Sequence, residues 1–108
     1  MRQAARVDSN QTIIVDALRR AGCSVLILSR VGQGCPDLLV GHGGLAGRNV
    51  LLEVKTPKGE LTPDEERFLN SWLGPVKIVT TPEQALEAVG TKGADDAPDQ
   101  ATAAPGLA

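Results

Sequence analysis

Gly34-Cys35-Pro36-Asp37-Leu38-Leu39-Val40-Gly41 and, a few residues on, Asn49-Val50-Leu51-Leu52-Glu53-Val54-Lys55 decide how this chain is read. Each is a short apolar run bounded by turn residues, the pattern of a strand. The segment between them, Gly-His-Gly-Gly-Leu-Ala-Gly-Arg, is rich in turn residues and predicts an antiparallel hairpin. In such a hairpin the start of the first strand lies beside the end of the second. Asp37, Glu53 and Lys55 are thereby expected at one end of the sheet. Side chains alternate along a strand, so Glu53 and Lys55 share a face while Leu52 and Val54 point into the core.

Unpaired charges are costly to bury, and two carboxylates held together repel unless a cation lies between them. Asp37, Glu53 and the backbone carbonyl of Val54, completed by water, make a donor set suited to magnesium. A metal there can activate water and neutralise charge on a phosphate, with Lys55 beside it to orient the water. The plainer alternative is a surface ion pair at a strand end.

The ordered set of motifs resembles a known family. Pro36-Asp37 followed by Glu53-Val54-Lys55 is similar to the signature of the PD-(D/E)xK nuclease superfamily. Asn10-Gln11 in a first helix, Gly32 to Gly41, Leu52 to Lys55 and Leu61-Thr62-Pro63-Asp64 before a helix resemble its VRR-NUC (virus-type replication-repair nuclease) branch, in a small stand-alone, phage-like form. The likeness spans residues 8–89. It implies a restriction-endonuclease-like α/β core, with a mixed sheet flanked by helices. It also implies a magnesium-dependent, structure-selective DNA endonuclease, with manganese able to substitute. Asp37, Glu53 and Val54 would hold the metal, Lys55 would position or deprotonate water, and Gln11 would reach the site through water. The product would carry a 5′-phosphate. The substrate would be Holliday-junction-like or other branched DNA, or duplex, cut by a homodimer that works alone or beside a helicase or recombination protein. The family pattern usually has Glu at Gln11, Lys near Gln33 and Gln near Glu65.

At 108 residues the chain has room for one domain, expected over residues 8–90. A flexible basic lead (1–7) and a disordered tail (91–108) are expected to flank it. Aromatic residues are limited to Phe68 and Trp72, so the core must rest on Leu, Ile, Val and Ala. Net charge is −2, but the tail carries one base and three acids, so residues 1–90 are neutral. There is no strong basic field, and DNA contact would fall to local clusters: Arg2 with Arg6, Arg19 with Arg20, Lys55 with Lys58. Cys23 and Cys35 lack zinc-site spacing and read as reduced, partly buried thiols. No apolar run reaches membrane-spanning length and no signal-peptide core is present, so a cytoplasmic protein is expected.

In chain order, Asp8 or Ser9 caps a helix over Gln11–Ala21, with Ile14, Val15 and Leu18 on its apolar stripe and Gly22 ending it. Ser24–Ser29 is a first strand. Gly32 and Gly34 flank Gln33, a candidate phosphate contact or plain loop residue. His42 reads as an exposed turn residue. Thr62 caps a second helix, in capping-box spacing with Glu65 and with Phe68, Leu69, Trp72 and Leu73 as its stripe. Glu65 is a cap or a fourth charged group at the site, and Trp72 is core or dimer interface. Val76–Thr80 is the last strand, and Thr81-Pro82 opens a final helix with Ala85, Leu86 and Val89 inward. The expected order is α-β-β-β-α-β-α.

Three rival functions suit the same residues. A sequence-specific restriction-type nuclease would need base-reading loops for which the chain is short. A catalytically silent DNA-binding module would keep the fold without its chemistry. A glycosidase would use the carboxylates but needs a sugar cleft.

Overall fold

The computed structural model describes residues 2–43 and 47–90, with side chains from residue 9 onward. The order is the expected one: α1 (Arg2–Arg20), β1 (Ser24–Ile27), β2 (Leu38–His42), β3 (Arg48–Val54), α2 (Pro63–Ser71), β4 (Val76–Val79) and α3 (Pro82–Val89). The strands form one sheet in the order β1-β2-β3-β4. β1/β2 and β2/β3 are antiparallel, and β3/β4 is parallel, with α2 inside the crossover. The result is a mixed α/β sheet flanked by helices.

Alternation along the strands sorts the two faces. Leu38, Val40, Val50, Leu52, Val54 and Val79 point to one face. There they pack with Ile14, Val15 and Leu18 of α1 and with Ala85 and Val89 of α3. Burying such side chains contributes roughly 1.5–3 kcal/mol each, so this single layer carries the core. Leu39, Leu51 and Glu53 point to the other face, over which α2 lies.

Three expectations are corrected. Helix α1 begins at Arg2, so Asp8 and Ser9 lie inside it rather than capping its start. Helix formers such as Arg2, Gln3, Ala4, Ala5 and Arg6 favour that extension over a cap at Asp8. The α2 stripe is not buried: no residue of α2 is, and Trp72 and Leu73 are exposed. Trp72 is therefore not core; its indole stacks on Phe68, ring centroids 4.9 Å apart. The cause is that α2 stands off from the sheet, leaving a groove of about 580 Å³ between Leu39 and Leu51 on one side and Phe68 and Trp72 on the other. Third, β1 stops at Ile27, and the chain turns away through Leu28, whose N–H donates to the Asp37 carbonyl at 2.7 Å.

The expected tail (91–108), Met1 and the turn at 44–46 lie outside the described residues. No helix among the described residues is long and apolar enough to cross a membrane.

Candidate metal and catalytic centre

The hairpin register sets the site. Leu38 of β2 pairs with Leu52 of β3, so Val54 lies two residues beyond the end of β2. Its N–H, left without a ladder partner, donates to Asp37 Oδ2 at 2.8 Å. An extended residue sends its N–H and C=O to the same side, and the next residue sends them to the other. The Lys55 N–H donates to the Val79 carbonyl of β4 at 3.0 Å. The Val54 carbonyl is therefore directed to the β2 side, with Asp37.

Glu53 is 2% exposed and is the buried charged residue among those described. Its carboxyl lies near enough to Asp37 and Glu65 for each of them to act on its charge. Lys55 Nζ lies 3.6 Å from Glu53 Oε2 and 2.9 Å from Glu65 Oε1. Asp37, Glu53, Lys55 and Glu65 thus form one continuous cluster, three acids around one base.

Burial dominates its electrostatics. Loss of water pushes Glu53 up to about 8, with repulsion from Asp37 and Glu65 adding to the rise and Lys55 opposing it. Asp37 is also raised by burial, an effect partly offset by the Val54 N–H and Lys55. Burial pulls Lys55 down, but Glu65 and Glu53 outweigh it, so the ammonium is held more firmly than usual. Glu65 is raised by burial yet lowered overall by the Thr62 N–H and Lys55. A cluster with surplus negative charge at a buried position suits a cation. The donor set is a carboxylate pair and a backbone carbonyl, all hard oxygen ligands. Among the described residues no group of three or more His, Cys, Asp or Glu side chains forms a ready-made metal cage. The remaining ligands of a magnesium ion would be water and substrate, its ordinary habit.

Glu65 does both things expected of it as alternatives. Its Oε1 accepts from the Thr62 N–H at 2.8 Å, closing the capping box of α2, and also from Lys55. Gln11 is placed differently from the other site residues: the Ser29 hydroxyl donates to its Oε1 at 3.3 Å, on the β1 side of Asp37. Its neighbour Asn10 is the residue that touches the cluster's frame. Asn10 Nδ2 donates to the Lys55 carbonyl at 3.0 Å and to the Thr80 carbonyl at 3.3 Å. Sequence reasoning quoted Asn10 only beside Gln11 in the motif set and gave it no role of its own; that motif was the available signal.

The approach loop is shaped by glycine. Gly34, at φ +79°, lies so close to the Asp64–Glu65 backbone that a Cβ would overlap the Asp64 carbonyl. Contact at this point fixes the loop that delivers Asp37 against the first turn of α2. Gln33 holds φ +59° without being glycine, and its side chain is exposed. Cys35 is half-buried and free, its thiol pushed up by burial and then by Asp37 and Glu53. Cys23 is free and buried in the core. His42 is at the opposite end of β2, roughly 16 Å from Asp37 at 3.3 Å per residue. Arg19, Arg20 and Lys58 are exposed; Arg19 donates to the Val25 carbonyl and Arg20 pairs with Asp16. The Arg2–Arg6 pair lies outside the described side chains.

Comparisons with known protein families, with curated proteins and with solved structures return no match to this chain.

Proposed function

We propose that this protein is a magnesium-dependent, structure-selective endonuclease that hydrolyses phosphodiester bonds in branched DNA, of the PD-(D/E)xK type and VRR-NUC-like. The observation that carries the reading is the meeting of Asp37, Glu53 and Lys55 at the mouth of the β2–β3 hairpin. An unrelated surface ion pair would not bury Glu53 among other carboxylates. A bound magnesium ion supplies Lewis acidity and an activated water. The chain's own residues do the rest. Asp37 and Glu53 offer oxygens whose mutual repulsion is relieved by a bound cation or, without one, by a proton kept on Glu53. Lys55, held between Glu53 and Glu65, presents an ammonium that orients water or meets a phosphate oxygen. Cleavage leaves a 5′-phosphate, and a two-fold homodimer supplies two centres for two strands.

The test is incubation of wild type, Asp37→Ala and Lys55→Ala with four-way junction, flap and linear duplex DNA, with and without magnesium. Wild type cuts the branched substrates only with metal. Loss of the Lys55 ammonium slows cleavage roughly 10²- to 10⁴-fold, the usual worth of a positioned proton-handling group. Intact DNA in every lane rejects the reading. Cutting of linear duplex at one sequence would establish the restriction-type alternative, and binding without cutting that survives Asp37→Ala would establish the silent module.

A further inference from the structure

The parallel pair β3/β4 ends abruptly beside the candidate centre. Its last backbone link runs from the Lys55 N–H to the Val79 carbonyl at 3.0 Å. One step further the strands part, and the carbonyls of Lys55 and Thr80 lie beyond the ladder. Asn10, half-buried on α1, spans them with a single side-chain amide, 3.0 Å to one and 3.3 Å to the other. An amide NH₂ has two hydrogens to give, and both acceptors are backbone atoms far away in sequence. This joins α1, β3 and β4 at one point.

That point is the backbone of Lys55 itself. With its N–H tied to Val79 and its carbonyl tied to Asn10, the peptide groups on both sides of the Lys55 Cα are fixed. The Cα–Cβ direction is then set, and with it the line along which Nζ reaches Glu53 and Glu65. We infer that Asn10 is a positioning residue: it holds the Lys55 main chain so that the ammonium meets the Asp37–Glu53 carboxylates in register. The inference rests on the nuclease reading for its catalytic readout, but the geometry it asserts can be measured without any cleavage.

Asn10→Asp is the decisive variant. It keeps size and shape while replacing the donor with oxygens that repel both carbonyls. Asn10→Gln keeps the donors on a longer arm. For the folded variants, single-turnover cleavage of a four-way junction is measured alongside DNA affinity and the magnesium half-saturation point. Amide hydrogen exchange is followed at Lys55, with Leu52 and Val40 as references. Asn10→Asp is expected to cut the cleavage rate constant roughly 10- to 100-fold, the scale of a small misplacement at a reacting centre. DNA affinity and the magnesium half-saturation point stay within about twofold, the Lys55 amide exchanges faster, and Leu52 and Val40 keep their protection. Asn10→Gln recovers part of both losses. Unchanged Lys55 exchange in a folded Asn10→Asp protein overturns the inference, as does a rate loss matched by loss of DNA affinity. If wild type does not cleave, the nuclease reading fails by itself and the exchange comparison still decides the role of Asn10.

Discussion

Replacing Glu53 with glutamine should make the metal-free protein more stable at alkaline pH. In the unfolded chain this carboxyl ionises near 4.5; in the fold it does so near 8, because water is withdrawn and Asp37 and Glu65 are close. Below pH 4.5 both states hold the proton. As pH rises from 4.5 to 8 the unfolded state gives it up while the folded state keeps it, so the native state binds more protons and stability falls. At 1.36 kcal/mol per pH unit the whole window amounts to roughly 5 kcal/mol. Relaxation of Lys55 and entry of water reduce this to about 2–4 kcal/mol. Asp37, also raised, steepens the same decline. Glu65, lowered, contributes stability that is lost only on acidification below its ordinary range, and Lys55, raised, contributes stability lost only above its own. Neither reverses the slope. Glu53→Gln removes the ionisation and keeps the shape. Urea unfolding at pH 5, 6, 7 and 8 without divalent ions should show wild type weakening and the variant, left with Asp37 alone, weakening less, about 2–4 kcal/mol apart at pH 8. Magnesium should restore wild type at pH 8 and leave the variant unmoved. Wild-type stability that is constant or rises over this range would refute the argument, as would a variant less stable than wild type at pH 8.

Other outcomes follow from the same geometry. Gly34→Ala combines a left-handed backbone with overlap on the Asp64 carbonyl; it should cost about 2–4 kcal/mol, read as a lower denaturation midpoint. Gln33→Gly relieves the strain of φ +59° and should add about 1 kcal/mol with little change in cleavage, unless Gln33 touches DNA, which a parallel binding titration will show. Thr62→Ala removes the hydroxyl that accepts from the Glu65 N–H at the start of α2 and should cost about 1 kcal/mol, read as a lower denaturation midpoint, with little change in cleavage because the Glu65 carboxylate keeps both the Thr62 backbone N–H and Lys55.

The fold was legible because its signals are local. The α-β-β-β-α-β-α order, the hairpin and the inward Leu52 and Val54 follow from alternation and turn residues, and the structure agrees. The start of α1 was not, because Asp8 and Ser9 look like caps, whereas the residues before them also favour helix. The α2 stripe misled for a different reason. Phe68, Leu69, Trp72 and Leu73 have the spacing of a buried face, but spacing does not say how closely the helix will settle on the sheet, and α2 leaves a groove between itself and Leu39 and Leu51. At the centre, the convergence of Asp37, Glu53 and Lys55 could be deduced from strand pairing alone. The double duty of Glu65 and the bridge made by Asn10 could not, since each depends on where a helix lands relative to the sheet.

The late position of β4 has a consequence for the chain as it is made. Every charged group of the cluster has been synthesised by residue 65, yet the Lys55 N–H is held by Val79, and Asn10, which holds the Lys55 carbonyl, is itself tied to Thr80. A nascent chain that has emerged only as far as α2 owns the acids and the amine but has no rail to hold them in line. The hydrolytic machinery proposed here would therefore come into being only when the final strand slots in, so that an incomplete or truncated product is harmless to the nucleic acid around it.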